Sequence, residues 1–408
     1  MHSKSVSAAL TGSVMVILAL NACGGAANAP ASGLSSSAPA AASAPAVSSG
    51  SSVAKPSAAA PGASAATGAA SAGASSGPPS TTASTANQPQ ITLKVGTQHV
   101  TTDAPLYIDM AKGFFKAQNL NVQFTNINGA EAISAVGTGQ LDVSVGAIYS
   151  GLFNAISRGV DIRLVATKGS GALKDDPSKE PAAALVIRKQ LIDSGAVKTV
   201  KDLKGKSIAI ASLGATQEET LDYILNTAGL SVADVTLKTM PFPDTVPALA
   251  NGSIDGAMEL QPWISQGLDK GIFTVFATTT ATAPGLQTNA LTYGPTLTKN
   301  NREAGNRFMV AYTQGIRWYD DAVGPKHANW DDFVSIMVQN TSLKDKALYD
   351  KIGWTPMNPD CSLNVPSIQK NVDWYMAHGY VKDKPNLATA VDDSFCQNAV
   401  KVLGPYKA

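Results

Sequence analysis

The segment Ile133-x-Ala135-Val136-x-x-Gly139-x-Leu141-Asp142 recurs 113 residues downstream (246 − 133) as Val246-x-Ala248-Leu249-x-x-Gly252-x-Ile254-Asp255. Each copy spells a helix, a glycine turn and a strand: the apolar positions face a sheet, the Gly suits a helix end at positive φ, and the Asp stands where the next strand begins. A match of this length also arises by chance or as a general βα signature. The distance between the copies favours two equivalent lobes over one. Residues 91–408 number 318 (408 − 90), enough for two such lobes.

Alternating apolar and polar residues extend the pattern along the chain. Ile91 to Val95 reads as a strand, followed by helical spacing through Leu106, Met110 and Phe114 that ends near Gly113. Further strands are expected over 121–127, 141–145, 162–166, 183–187, 207–211, 235–240 and 254–258, separated by helical spacings. This order predicts an α/β fold with mostly parallel sheets. After about Gly294 the pattern changes to long helices, at 298–319, 330–340, 366–378 and 388–402, expected to pack back on the first lobe.

The first ninety residues cannot belong to that fold. They carry Lys4 and Lys55 but no Asp or Glu. Lys4 precedes an uncharged, largely apolar run from Val6 to Leu20, the layout of a secretory signal rather than of a spanning helix. From Gly24 to about Gln90 the composition collapses to Ala, Ser, Gly, Pro and Thr without an aromatic residue, so nothing offsets the entropy of ordering the chain. A disordered tether with an r.m.s. reach of roughly 45 Å is expected.

Composition excludes several functions. With 31 basic and 30 acidic side chains the formal charge is +1, which lacks the basic surplus of nucleic-acid binders. Three cysteines without a CxxC pair, and no HExxH, argue for no metal site, and no cofactor is expected. Cys361 and Cys396, the cysteines of the folded part, either pair to close a loop of about 35 residues, typically contributing about 2–4 kcal/mol, or stay separate buried thiols.

Ligands of open α/β sheets gather outside the carboxyl ends of strands, near helix N-termini with free N–H groups. In the first lobe these edges supply Gln98, His99, Thr101 and Thr102, then Asn128 and Gly129, then Ala147 and Tyr149. In the second they supply Ser212, Gly214, Ala215 and Thr216, then Phe242, then Glu259, Gln261 and Trp263. Ser212, Gly214 and Thr216 suit sulfonate, carboxylate or phosphate oxygens, and equally make an ordinary helix cap. Tyr149, Phe242 and Trp263 serve as walls for a ring or as core. His99 donates to an anion or is simply solvated.

The residues also resemble a known family, the extracytoplasmic solute-binding proteins of ABC importers in the nitrate, taurine, aliphatic-sulfonate and thiamine-pyrimidine group. The carriers are Ala104-Pro105-Leu106-Tyr107, Lys112-Gly113-Phe114-Phe115, Gly129-Ala130-Glu131-Ala132, Gly139-Gln140-Leu141-Asp142, Asp202-Leu203-Lys204-Gly205-Lys206 and Gln261-Pro262-Trp263. Leu20-Asn21-Ala22-Cys23 likewise resembles a bacterial lipobox, in which Cys23 is lipidated after cleavage. The resemblance implies a two-lobed type II periplasmic-binding fold with its helical C-terminal region on lobe 1. Its expected layout is a signal peptide at 1–22, a lipidated tether at 23–90, lobe 1 at 91–182, lobe 2 at 183–284 and a return to lobe 1 over 285–408, with crossovers near 180–186 and 282–292. It implies a monomer on the outer face of a bacterial membrane that captures a small solute, an organic anion or aromatic acid, and delivers it to a permease and its ATPase without chemistry. Where the family carries Trp-Glu-Pro, this chain has Leu260-Gln261-Pro262, which argues against an amine-bearing solute. The alternatives are a ligand-sensing lipoprotein and an enzyme resembling the thiamine-pyrimidine synthases.

Overall fold

The computed structural model describes residues 89–407, the side chain of Ala130 excepted. The expected signal peptide, Cys23 and the expected tether lie outside the described residues. Among the described residues no helix is long and apolar enough to cross a membrane.

Ten strands form two five-stranded sheets. The first contains β1 (Ile91–Thr97), β2 (Leu120–Asn126), β3 (Val143–Ala147), β4 (Arg163–Thr167) and β10 (Asn289–Tyr293), in the order β2-β1-β3-β10-β4. The second contains β5 (Ala183–Arg188), β6 (Ser207–Ile210), β7 (Thr236–Thr239), β8 (Gly256–Leu260) and β9 (Phe273–Thr278), in the order β7-β6-β8-β5-β9. The two orders are the same when each strand of one sheet is replaced by its counterpart 113 residues along, with β10 and β5 in corresponding places.

The sheets are mixed, where the sequence suggested mostly parallel pairing. β10 runs antiparallel to β3 and β4, and β5 runs antiparallel to β8 and β9. Topology explains this: β5 and β10 are the strands by which the chain enters each lobe from the other. Entering at the edge where neighbouring strands end, each must run against them. β9 was absent from the expected strands, because Phe273–Thr278 sits at a sheet edge with only partial burial beyond Phe273.

The repeat that opened the sequence is visible at atomic level. Gly139 and Gly252 end their helices at φ 75° and 80°. Asp142 accepts from Lys94 N–H at 2.8 Å and Asp255 from Ser207 N–H at 2.9 Å, each tying a strand start to its parallel neighbour. Lys94 and Ser207 are themselves 113 apart.

The C-terminal helices pack on the first sheet. Phe308 and Tyr312 of the helix Arg302–Val323, Phe333 of Trp330–Asn340 and Phe395 of Ser394–Leu403 share one core with Val95, Val143 and Leu291. The helix expected over 388–402 is broken into Leu387–Ala390 and Ser394–Leu403. Between them Val391 bridges to Leu164 and Asp392 N–H donates to Leu164 O at 2.9 Å, so the chain borrows the free edge of β4 instead of continuing the helix. A disulfide joins Cys361 and Cys396, both buried in this core.

Candidate functional site

The carboxyl ends of the strands of both sheets face a common cavity of about 820 Å³. Two chain crossings run along it, between β4 and β5 and between β9 and β10. They pair with each other through an antiparallel bridge of Ser170 with Gln287 and a bond from Gly171 N–H to Leu286 O at 2.8 Å.

Direct contacts hold the lobes together around the cavity. Thr101 donates from both its N–H and its hydroxyl to Gln261 O, at 3.2 Å each. Ser150 N–H donates to Gly214 O at 2.8 Å, and Gln266 Nε2 reaches Ser342 Oγ at 2.8 Å. Behind them the helix Thr216–Asn226 of the second lobe meets the helix Val365–Ala377. Asn371 Nδ2 donates to Glu219 at 2.7 Å and Trp374 Nε1 to Asp222 at 3.0 Å.

Nine of the sixteen residues expected in the site belong to the cavity wall. Gln98, Thr101, Thr102, Ala147 and Tyr149 come from the first lobe. Thr216, Phe242, Glu259 and Gln261 come from the second. The other seven do not, each for a local reason. His99 is turned aside at φ 55° and holds the Tyr107 hydroxyl at 3.2 Å through Nδ1. Asn128 caps the helix Gly129–Gly137, its side chain accepting from Glu131 N–H. Gly129 lacks the atom that would reach the cavity, since a Cβ there would fall 1.9 Å from the Tyr149 oxygen. The Ser212 hydroxyl turns to Leu213 O. Gly214, at φ 64°, and Ala215 are spent on the contact with Ser150 and Tyr149. Trp263 packs against the core of the second lobe.

Sequence reasoning missed much of the remaining wall. The crossing 170–183 contributes Ser170, Lys174, Asp175, Asp176, Lys179 and Glu180. The C-terminal region contributes His327, Trp330, Asp350 and Trp354, with His327 stacked on Trp330 at 4.5 Å and Trp330 Nε1 donating to Asp350 at 2.8 Å. Some sequence signal existed for the crossing, where Lys174-Asp175-Asp176-Pro177 breaks the periodicity. None places Trp330 or Trp354 beside β3 and β8.

The wall carries more acidic than basic side chains. Among residues of the wall, Asp175, Asp176, Glu180, Glu259 and Asp350 face two lysines, Lys174 and Lys179. The buried Lys168 is already paired, 2.8 Å from the buried Asp103. At the N-terminus of Gly129–Gly137 the chain itself takes up N–H groups that would attract an anion. Asn128 and the Tyr149 oxygen serve Gly129–Gly137, the latter accepting from Gly129 N–H. In the loop before Thr216–Asn226, side chains of the helix hold the backbone: Gly214 N–H donates to Glu218 at 2.7 Å and Ala211 N–H to Gln217 at 2.8 Å.

Two titrating groups of the wall are displaced by burial. The Tyr149 hydroxyl is pushed up to about 12, partly offset by bonds from Gln98 and Gly129. Glu259, at the end of β8 and 1 % exposed, is pushed up to about 8, partly offset by bonds from the Thr245 hydroxyl and Leu260 N–H. Gln261, the neutral residue of the Leu260-Gln261-Pro262 segment, is committed elsewhere: its Oε1 accepts from Ser265 N–H and Oγ, and its Nε2 faces Glu180 and Pro181 O at 3.4 Å.

Comparison with known proteins places this architecture. Residues 100–322 match the family described as NMT1/THI5 like, more than half of the chain. The chain belongs to that family, and its architecture is the type II periplasmic-binding fold. Among solved structures it is similar to the periplasmic nitrate-binding protein NrtA of Synechocystis PCC 6803 (14% identity, TM-score 0.63, covering 78% of this chain and 90% of that one). It is also similar to the alkanesulfonate-binding protein SsuA of Xanthomonas axonopodis pv. citri bound to MOPS (18%, TM-score 0.58, 74% and 98%). The desulfurization enzyme DSZB shares the fold as well (14%, TM-score 0.53, 76% and 99%), so the fold serves both binding and catalysis. No match is found among curated protein sequences.

Proposed function

We propose that this protein captures a small organic solute between its lobes and delivers it, chemically unchanged, to an ABC import permease. The observation that carries the reading is the cavity itself, built from equivalent strand ends of two repeated sheets and bounded by hydrogen bonds from one lobe to the other. Contacts that a solute makes to both lobes exist only when the lobes are together, so binding energy shifts the population towards closure. The paired crossings are the elements on which such a motion would turn.

On this reading residues 1–22 direct export, Cys23 carries the lipid and 23–90 is the tether that holds a monomer at the outer face of a bacterial membrane. Lobe 1 comprises 91–182 and 285–408, and lobe 2 comprises 183–284. Substitution Cys23→Ser should move the protein from the membrane to the soluble extracytoplasmic fraction; unchanged membrane association would remove the anchor from the proposal.

Solute capture is tested by incubating the purified protein with a broad metabolite extract, then analysing the bound fraction and the supernatant by mass spectrometry. A saturating binder of the native state raises the melting temperature. Recovery of the captured compound intact supports the reading. Appearance of a product would favour catalysis, as in DSZB, and overturn it.

A further inference from the structure

We infer that the solute carries a cationic nitrogen attached to a ring-bearing body, and that Glu259 is its counter-ion. This rests on the capture reading and names the ligand class of the same cavity; it departs from the sequence reading of Leu260-Gln261-Pro262, which argued against an amine, because an acid stands two residues before Gln261, at Glu259.

Glu259 is the fully buried carboxyl of the wall, held at the carboxyl end of a central strand of the second sheet. Its neighbours supply neutral donors, the Thr245 hydroxyl and Leu260 N–H, and no charged neighbour contributes to its state. A buried carboxyl without a cation is costly to ionise. Asp103, buried in the first lobe, has such a cation within the chain, Lys168. In the second lobe a cation of the solute would take that part from the cavity.

The other charged groups of the wall do not fill the role. Lys179 donates to Asp350 O and both Lys174 and Lys179 are exposed, on the crossing that lines the mouth. Of the acids, Asp175, Asp176 and Asp350 are exposed and Glu180 is half-buried, so water already solvates their charge. Asp350 holds Trp330, and His327 is stacked on that indole. Aromatic surface completes the site: Tyr149 and Phe242 on the sheet side, Trp330 and Trp354 on the C-terminal side. A water's share of liquid is about 30 Å³, so about 820 Å³ holds roughly 27 waters, far more space than a small inorganic anion fills. Rings also attract cations across their faces.

Ionisation of Glu259 on pairing gives a distinctive linkage. The free protein holds its proton up to about pH 8. Cation binding would release that proton to solvent, so affinity should rise about tenfold per pH unit from about pH 5 to 8 and then level off. Glu219, displaced to about 7, faces Asn371, Tyr223 and His378 outside this wall, and a substitution at Glu259 separates the two groups.

The experiment is calorimetric titration of the full chain with a panel of ring-bearing amines (tryptamine, phenethylamine and their quaternary analogues), each beside its carboxylate isostere, at pH 5.5, 6.5 and 7.5. Expected are preference for the amine of a pair, the stated slope, release of close to one proton in buffers of different ionisation heat, and a slope abolished with at least tenfold weaker binding in Glu259→Gln. A buried acid with a merely structural role would not impose that slope. Tighter binding of a carboxylate, with affinity falling as pH rises, would overturn the ion pair while leaving solute capture intact. Failure of every amine to bind would also overturn it, whatever the metabolite extract yields.

Discussion

The two lobes are made from one unit, and they differ most where they face each other. Position 146 of the first lobe corresponds to 259 of the second (259 − 113), and the strands confirm the match: Gly146 pairs with Ala290 of β10, Glu259 with Ala184 of β5. At that position the first lobe has no side chain, and the space opposite is taken by Gln98, whose Oε1 would lie 3.4 Å from an added Cβ. The second lobe has a buried carboxyl there, and Ala211 where the first has Gln98. In the first lobe Asp103 is paired with Lys168 and Tyr149 accepts from Gly129 N–H, while Asp109, buried in the helix Ala104–Lys112 away from the cavity, has no cation and is held in its neutral form by burial. The second sets its buried acid without a cation, Glu259, in the wall of the cavity. A duplicated scaffold can keep its ladder and its turns while concentrating its chemistry in one half.

The comparison can be broken at several points. The largest effect is expected from Lys168→Met, which strands Asp103 as an unpaired buried charge: about 3–5 kcal/mol of stability should be lost in urea unfolding at pH 7, and a loss near zero would show that the pair does not anchor the first lobe. Opening the disulfide with a Cys361→Ser, Cys396→Ser pair should lower stability by about 2–4 kcal/mol, read from the same unfolding curves.

Glu259→Gln should change stability by an amount that depends on pH. The folded group binds its proton more tightly than the unfolded one, so between about pH 4.5 and 8 the native state holds the extra proton and stability falls as pH rises through that window. The contribution is intact below about 4.5 and gone above about 8. The Gln variant should therefore match the parent most poorly at pH 5, where it forfeits the bonded neutral acid, and improve relative to it by on the order of a few kcal/mol by pH 8 to 9. Parallel melting-temperature profiles for the two proteins would deny that Glu259 is displaced.

The smallest effect sharpens the repeat itself. Asp142→Ala and Asp255→Ala each remove a carboxylate bond to a backbone N–H of the parallel neighbouring strand and should cost about 1–3 kcal/mol. Asp255→Ala should cost more, because Asp255 also accepts from the Ser207 hydroxyl and lies 3.4 Å from Arg188. Equal losses would mean that these added partners contribute nothing.

Much of the fold was legible because it is local. Gly139 and Gly252 end helices where a positive φ is needed, and Asp142 and Asp255 open strands a fixed distance on, so a spacing of 113 residues was enough to read two sheets. The antiparallel sense of β5 and β10 was not, since it depends on the edge by which a strand enters. At the site, strand-end positions such as Gln98, Ala147, Phe242 and Glu259 were readable from the rule that ligands gather there, whereas Trp263 at a similar position turned into the core.

What the sequence determined unaided is the α/β alternation, the duplication and the acid-free, low-complexity first ninety residues, because each is a pattern of spacing or composition that neighbouring residues enforce. Only the tertiary structure decided that Trp330 and Trp354 stand across a cavity from Tyr149 and Phe242, and that Lys168 is spent on Asp103 while Glu259 is left without a cation. Charge pairing and enclosure depend on which distant segments are brought within a few ångströms, and that is set by the packing of the two lobes and the C-terminal helices as a whole.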